Sequence, residues 1–389
     1  MYLKLATLLC ITLISPLTTR AQSNRIHVNS SNPQRTRVLD TKGPDAAPTK
    51  IVWKSEKLFE RRPEAWTGLV PPSLLNFPSA MSDWHTKPVI ANDLLYFSYN
   101  TDNGYLYAIK RETGEKLIVL KVDRNWVSLP AVKDNIVFFG SSGGQVHAYD
   151  VTKRGDKWTF EDKKTTFAQS DPTLDRELLY FYAAEKGLYS FVADTGAVKW
   201  FFKSEDFVRG PAVAGDRVIL LTSMGRLIAL DRATGAKVWD VGVGREAATP
   251  SVLGDQIFLV YDGGTICSYS AIDGHLQWKS KDVPRSGTLL ALHRGLVYYG
   301  GQGHSVIALD ATTGAEKLRF KTNRRCYSPL IAGDLLYVDC DDHRLYALST
   351  STLAEVWRLQ EGKISPVEQV YADGAMYWLT RDGYLWAAR

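Results

Sequence analysis

Cysteine, histidine and methionine are scarce in this chain of 389 residues, which contains four, seven and four of them respectively. So few cysteines exclude a small disulfide-rich scaffold. The histidines are scattered along the chain and predict no metal centre. A net charge of +5 is too small to indicate a nucleic-acid-binding protein.

Long apolar runs are also missing after the N-terminus. The one such stretch, residues 5–17, follows Lys4 and precedes small residues up to Ala21, so residues 1–21 are predicted to be a secretory signal peptide. The stretch is too short to span a bilayer comfortably, and its Cys10 does not follow a small-residue lipobox. We therefore expect an exported, soluble protein, periplasmic or extracellular, with no transmembrane segment and no lipid anchor.

The chain is rich in glycine and aromatic residues, with 30 glycines, 19 tyrosines and 11 tryptophans, a composition typical of all-β proteins. A phrase of the form Gly-x-Leu-apolar-Ala-Leu-Asp-x-x-Thr-Gly-x-x-x-Trp recurs at intervals of roughly 38 to 43 residues, the period of propeller blades. Its copies begin at Gly104, Gly144, Gly187, Gly225, Gly264, His304, His343 and Gly383.

Each repeat predicts four short antiparallel strands, because a turn such as Gly215-Asp216 precedes the phrase and Thr-Gly interrupts it. The eighth copy reaches the C-terminus before its Trp, and residues 50–56 supply an outermost strand with Trp53 in that place. The sequence thus predicts an eight-bladed β-propeller over residues 50–389, with its last blade closed by the N-terminal strand. We expect such a closed ring to be monomeric.

Two segments fall outside the repeat. Residues 22–49 are rich in Ser, Asn, Pro and charge, and are predicted to be a flexible leader. Residues 57–83 form a long connecting loop with four prolines. We expect this loop either to pack over a propeller face or to lie on the rim.

The recurring tryptophans are interpreted as structural. A large ring on the outermost strand can fill the wedge between blades, where smaller side chains would leave voids. Leu117 and Leu318 are assigned to this position in the two copies that lack the ring. The tryptophans are Trp53, Trp158, Trp200, Trp239, Trp278 and Trp357.

Cys326 and Cys340 lie at nearly equal distances on either side of the turn at residues 333–334. Strand pairing across that turn would place them opposite each other, and export makes oxidation possible. The sequence therefore predicts a disulfide. Cys267 occupies a strand position held by apolar residues in other copies, so we expect it to be a buried filler.

The complete phrase resembles the PQQ-like β-propeller repeat over residues 51–389. That resemblance implies two functional classes: quinoprotein dehydrogenases, which bind pyrroloquinoline quinone and calcium, and BamB-like subunits of the outer-membrane β-barrel assembly machinery, which bind no cofactor. The alcohol dehydrogenases typically carry adjacent cysteines and long inserts, and this chain has neither. The best acidic cluster, at residues 339–344, is expected to be a solvated turn rather than a calcium site.

In BamB-like proteins the contact with the barrel-forming partner resembles a Leu-Arg-Gly segment before one blade and an acidic segment before the next. Here the first segment reads FVRGP, with Arg209 and Gly210. The second reads REAATP, with Arg245 and the single acid Glu246. The resemblance implies partner binding by Arg209 and Gly210, and the second segment matches the acidic pattern only at Glu246. Because members of that family are usually lipoproteins, the missing lipobox departs from its pattern.

Cations also recur in the connections that lead into the blades. If equivalent connections share one face near the channel, these charges predict a basic mouth for an acidic peptide, a carboxylated ligand or an anionic surface. The alternative is that rim positions favour charge in general. The residues are Arg124, Arg209, Arg245, Arg285, Arg324, Arg325 and Lys363.

The sequence favours a non-catalytic, cofactor-free scaffold that presents loops to a protein partner, such as an outer-membrane assembly component. A small PQQ-dependent oxidoreductase, and a carbohydrate- or peptide-binding module at the channel mouth, are the alternatives.

Overall fold

The computed structural model describes residues 38–39, 43–58, 88–100, 103–122, 126–167, 172–184, 186–244, 248–261, 264–280, 289–301, 303–360, 366–380 and 384–389. Within these residues the chain forms β-strands and no helix. The strands form eight antiparallel sheets of four, arranged as an eight-bladed β-propeller, and one sheet carries a fifth strand. The predicted fold is thereby confirmed.

Strands are numbered in chain order, and blades in the order of their innermost strands. β1 (Val38–Leu39) and β2 (Ile51–Lys54) precede blade 1. Blades 1 to 4 consist of β3 (Val89–Ala91), β4 (Leu94–Asn100), β5 (Gly104–Lys110) and β6 (Lys116–Val122); β7 (Ala131–Lys133), β8 (Ile136–Gly140), β9 (Gln145–Asp150) and β10 (Gly155–Glu161); β11 (Thr173–Asp175), β12 (Leu178–Ala183), β13 (Gly187–Val192) and β14 (Val198–Lys203); and β15 (Val208–Ala214), β16 (Arg217–Thr222), β17 (Arg226–Asp231) and β18 (Lys237–Gly242).

Blades 5 to 8 follow the same pattern. They consist of β19 (Ser251–Leu253), β20 (Gln256–Val260), β21 (Ile266–Ser270) and β22 (Leu276–Lys279); β23 (Ala291–His293), β24 (Leu296–Gly301), β25 (Ser305–Asp310) and β26 (Glu316–Lys321); β27 (Leu330–Ala332), β28 (Leu335–Cys340), β29 (Arg344–Ser349) and β30 (Glu355–Gln360); and β31 (Pro366–Ala372), β32 (Ala375–Thr380) and β33 (Leu385–Ala388), which β2 completes.

Burial along the strands follows from the stacking of blades face to face. All six residues of β12 are buried, because the second strand of a blade has a neighbouring blade on each side. The outermost strands are more exposed: in β26, half-buried residues alternate with exposed ones. The predicted turn before each phrase is present: Asn92, Asp134 and Gly215 have φ near +55°, a conformation that Asn, Asp and Gly tolerate best.

The ring closes as the sequence predicts. β2 pairs with β33 in antiparallel register, with Ile51 opposite Ala388 and Lys54 opposite Trp386. The innermost strands neighbour one another in chain order, and β31 lies beside β3. The two ends of the chain therefore share one sheet.

The outermost Trp of a blade reaches into the next blade. Its indole Nε1 donates a hydrogen bond, 2.8 to 3.1 Å long, to the carbonyl that opens the turn between the third and fourth strands there. We call this contact the indole clasp. It joins Trp53 to Arg111, Trp158 to Ala193, Trp200 to Arg232, Trp239 to Ala271 and Trp278 to Ala311.

The same ring packs on the glycine of that turn. Gly235 has φ +73°, and a Cβ added to it would lie 2.6 Å from Cδ2 of Trp200. The turn therefore needs glycine for two reasons, the left-handed backbone and the space that the indole fills.

Blades 1 and 6 lack the outermost Trp, and the turn of the blade that follows each of them lacks the glycine. The strand register places Ile118, not Leu117, opposite Ala108, as Trp239 lies opposite Ala229, so the assignment of Leu117 was wrong by one residue. The turns that face Ile118 and Leu318 carry Arg154 and Leu353 in place of glycine, each with φ 55°. Where no indole covers the turn, a Cβ is sterically tolerated.

Tyr298 replaces the missing indole of blade 6. Its hydroxyl donates to the carbonyl of Thr350 (2.7 Å), which opens the corresponding turn of blade 7. The bond across this interface is thus kept by a residue from a different strand.

Blade 8 has no such turn, because its third strand ends the chain. The carbonyl of Pro44 takes its place: it accepts hydrogen bonds from Trp357 Nε1 (3.0 Å) and from the Tyr337 hydroxyl (3.1 Å), both buried. Gly43 lies so close to the Tyr337 ring that a Cβ would be 2.2 Å from its hydroxyl oxygen. We call residues 43–50 the strap.

Upstream of the strap, β1 lies at the centre of the ring. It pairs in parallel with β27, with Val38 opposite Ile331, and lies near β23 of blade 6. Residues 38–39 and 43–49 are thus paired or packed, so the expected flexible leader does not extend to residue 49. The predicted signal peptide and the rest of the leader lie outside the described residues.

The long connecting loop is described only at its first two residues. Leu58 is buried, and its carbonyl accepts a hydrogen bond from the Tyr107 hydroxyl (3.0 Å). In the part of the chain that the structure describes, no helix is long and apolar enough to cross a membrane.

We expect Gly235→Ala to destabilise the protein more than Gly215→Ala. Both positions have positive φ, which costs an alanine about 1 kcal/mol. Nothing lies within 4 Å of a Cβ at Gly215, whereas the one at Gly235 overlaps Trp200, so we expect roughly 1 to 3 kcal/mol more. Urea unfolding measures both; equal losses would contradict the clasp.

Truncation tests the strap. A chain that begins at residue 43 keeps the Pro44 carbonyl, whereas one that begins at residue 49 leaves the Trp357 and Tyr337 donors buried without an acceptor. We expect the shorter chain to lose about 2 to 5 kcal/mol of unfolding free energy relative to the longer one. Similar midpoints in urea would show that the strap contributes little.

Candidate partner-binding face

All connections between blades lie on one face of the ring, because each blade has four antiparallel strands. We call it the connection face; it also carries the turns between second and third strands, such as residues 223–225. The opposite face carries the remaining turns, such as residues 215–216 and 232–236. Of the predicted partner-binding residues, Arg209, Gly210, Arg324 and Arg325 lie in described segments of the connection face.

Exposed apolar side chains are distributed unequally between the two faces. Among the described residues, Trp126, Phe207, Met224 and Tyr327 are exposed on the connection face, by 36 to 49%, against Ile272 on the opposite face. The other large exposed apolar residues lie on outermost strands. Aromatic, Met and Arg side chains are enriched at protein interfaces, so this distribution makes the connection face the candidate binding face.

Arg209 and Gly210 lie at the connection-face end of β15. Arg209 is half-buried and pairs with Leu221, and the register shifts between Arg209 and Ala212, so Gly210 lies within a bulge. The Thr173 hydroxyl of blade 3 donates to the carbonyl of Pro211 (2.9 Å). The backbone of the segment is therefore held by both blades.

Phe207 and Met224 lie beside this arginine. The Ser223 amide donates to the Phe207 carbonyl (2.8 Å), which brings the connection and the turn of blade 4 together. The Phe207 ring packs edge-on against Tyr182, with centroids 5.2 Å apart. We call Phe207, Arg209 and Met224 the blade 4 patch.

A second group lies on blade 7. Arg324 is exposed, Arg325 is half-buried, and the Arg325 guanidinium lies over the Tyr327 ring, 5.2 Å from its centroid. The Tyr327 hydroxyl donates to Asp341; this hydrogen bond and burial raise the pKa of Tyr327, so the phenol remains a donor at neutral pH. We call Arg324, Arg325 and Tyr327 the blade 7 patch.

The predicted disulfide is confirmed. Cys326 and Cys340 are bonded and buried, directly beneath the blade 7 patch. Their backbones form an isolated antiparallel bridge, like that of Val127 and Ser141 in blade 2. Cys267 is free and buried, and burial raises the pKa of its thiol.

The arginines do not recur at one structural position. Val127, Val208 and Cys326 are equivalent, because each pairs with the residue fourteen positions later. The next residue is Ser128, Arg209 or Tyr327, and the preceding one is Trp126, Phe207 or Arg325. In the described part, the predicted basic mouth is therefore a mixture of cationic and aromatic side chains.

The remaining predicted residues of this face lie outside the described residues. They are Arg124, Arg245, Glu246, Arg285 and Lys363.

The acidic residues 339–342 do not converge on a common point. Asp339 accepts a hydrogen bond from Gln369 (2.6 Å), Asp341 accepts one from Tyr327, and Asp342 accepts one from Tyr346 (2.6 Å). No group of three His, Cys, Asp or Glu side chains that could hold a metal ion occurs among the described residues. These aspartates do not fit a calcium site.

Sequence reasoning missed the exposed aromatic residues. Trp126, Phe207 and Tyr327 were not singled out, because an aromatic residue beside a strand predicts burial. Aligning the chain on the bridging pairs, rather than on the Gly-Leu phrase, would have placed Trp126 and Phe207 at one outward-facing position.

The molecule is thus a closed propeller of PQQ-like repeats. The chain belongs to the family described as outer membrane protein assembly factor BamB, whose family model matches residues 45–203, 187–288 and 282–387. A relative of that name from Shewanella oneidensis is 21% identical over 258 residues, which cover 61% of this chain and 64% of that protein.

Solved structures show the same fold. BamB from Moraxella catarrhalis superposes with a TM-score of 0.58 at 15% identity, covering 77% of this chain and 95% of that one. A quinohemoprotein alcohol dehydrogenase from Comamonas testosteroni superposes with a TM-score of 0.64 at 13% identity, covering 91% and 79%.

The pair Cys326→Val and Cys340→Thr copies Val208 and Thr222 of blade 4. Because 14 residues separate the cysteines, we expect the loss of the cross-link to lower the unfolding free energy by about 3 kcal/mol. Reductant should destabilise the wild type and leave the variant unchanged in urea unfolding. A variant as stable as the oxidised wild type would show that the disulfide does not stabilise the fold.

Proposed function

We propose that this protein is an exported, non-catalytic scaffold that binds a protein partner through its connection face during outer-membrane protein assembly. Membership of the BamB family supports the process, and the predicted signal peptide supports a periplasmic location. The observation that carries the proposal is that the exposed aromatic residues Trp126, Phe207 and Tyr327 all lie on one face of the ring.

The arrangement of the centre also favours face-on binding of a protein. The innermost strands are packed tightly, with Ala131, Ala291 and Ile331 fully buried, and β1 lies along β27. A partner therefore meets the rim of side chains rather than the axis. A broad surface of aromatic and cationic groups is suited to another protein chain.

The blade 4 patch is the proposed centre of this contact. Arg209 supplies a half-buried cation, and Phe207 and Met224 supply exposed apolar area on the same face of the blade. This combination fits a partner loop with an acidic residue flanked by apolar ones. Arg245, Glu246 and Arg285 are proposed to extend the same surface.

We expect Arg209→Glu to release the partner. Tagged protein purified from its own host should carry a β-barrel assembly component, and the reversed charge should reduce its recovery by about tenfold or more, as measured by quantitative mass spectrometry. Arg217→Glu, on the opposite face of the same blade, is the matched control and should retain the partner.

Unchanged recovery with Arg209→Glu would refute the role of the blade 4 patch. Dye reduction by the purified protein after addition of pyrroloquinoline quinone and calcium would instead favour the quinoprotein alternative.

A further inference from the structure

We propose that the blade 7 patch is a second docking site, held rigid by the disulfide, for an acidic extended segment of a partner protein. The inference rests on the proposed scaffold function and adds to it a second contact and the chemistry of its ligand.

The arginines of this patch lack anionic partners. Within the ranges that the structure describes, neither Arg324 nor Arg325 forms an ion pair, and the buried Nε of Arg325 has no acceptor. The nearby carboxylate of Asp341 is engaged by the Tyr327 hydroxyl. Two guanidinium groups are therefore available to carboxylates of a ligand, which they can bind in bidentate geometry.

The tyrosine of the patch is exposed and yet fixed. The ring is 43% exposed, its hydroxyl is bound to Asp341, and Arg325 covers part of it. The Tyr327 amide donates to the Asp339 carbonyl and the Asp341 amide to the Arg325 carbonyl, each at 2.8 Å. Little conformational freedom remains to be lost on binding, and Tyr and Arg are enriched among residues that dominate binding energy.

The disulfide adds rigidity that the fold does not require. Blade 2 makes the same isolated bridge with Val127 and Ser141, and blade 4 makes the equivalent pair with Val208 and Thr222. Blade 7 differs in cross-linking the pair. The segment that gains this restraint is the one that carries Arg324, Arg325 and Tyr327, so the cross-link serves the exposed residues above it.

The surroundings favour a peptide over a membrane surface. Asp339, Asp341 and Asp342 lie on the neighbouring strand end and turn, and their charge repels an extended anionic surface. A peptide can direct single carboxylates to the arginines and pack an apolar residue on the open side of the Tyr327 ring.

The test uses the full-length oxidised protein and a fluorescein-labelled peptide of four Glu-Leu-Pro repeats. Fluorescence anisotropy should show binding that weakens with salt. The double variant Arg324→Glu/Arg325→Glu should lower the affinity about tenfold or more, and Tyr327→Ala by a similar factor. Lys153→Glu/Lys237→Glu, which reverses two exposed lysines at the opposite face, is the matched control and should bind as the wild type does.

The disulfide is tested by the same measurement. Cys326→Val/Cys340→Thr should remain folded and bind roughly threefold to tenfold more weakly, because the site is no longer preorganised.

Two results would overturn the proposal. One is equal peptide affinity in the Arg324→Glu/Arg325→Glu variant and its lysine control. The other is binding to phosphatidylglycerol vesicles, with the same dependence on these arginines, in place of the peptide. Neither result bears on the scaffold function, which is tested separately by how much partner is recovered with Arg209→Glu.

Discussion

A hydrogen bond from an indole to the turn of the next blade is the contact on which the ring depends. Neighbouring blades also meet through clusters of apolar side chains, which attract one another without fixing an orientation. The indole clasp fixes how one blade is oriented against the next, and the glycine of the turn leaves space for the indole to pack on it. Tyr298 supplies this bond in blade 6, where the indole is missing, and Pro44 supplies the acceptor in blade 8, where the turn is missing.

The fold could be predicted because the sequence repeats one blade pattern eight times. Repetition gave the strand order, the turn residues and the closure of blade 8, each supported by several copies of one phrase. The strap could not be predicted in this way, since nothing in its local sequence is periodic. The strap is positioned by a distant contact, because its Pro44 carbonyl is the hydrogen-bond acceptor of Trp357, 313 positions further along the chain.

The candidate site was only partly predictable. Arg209, Arg324 and Arg325 were predicted from their charge. Charge alone does not show which position of a blade a residue occupies, and the three arginines lie at non-equivalent positions. Phe207 and Val208 are adjacent apolar residues, yet one is exposed and the other buried. Only the direction of each side chain at the strand end separates them. Arg245, Glu246 and Arg285 stay predictions.

The place of β1 and the strap has a consequence for the order of events after translation. Residues at the start of the propeller bind groups that lie near its other end: Pro44 accepts a hydrogen bond from Trp357, and Lys50 pairs with Arg389. The first seven blades can stack in chain order, but the eighth is complete only when both ends of the propeller have come together. Because such contacts between distant chain ends form slowly, the open ring is the species most exposed to proteases and chaperones.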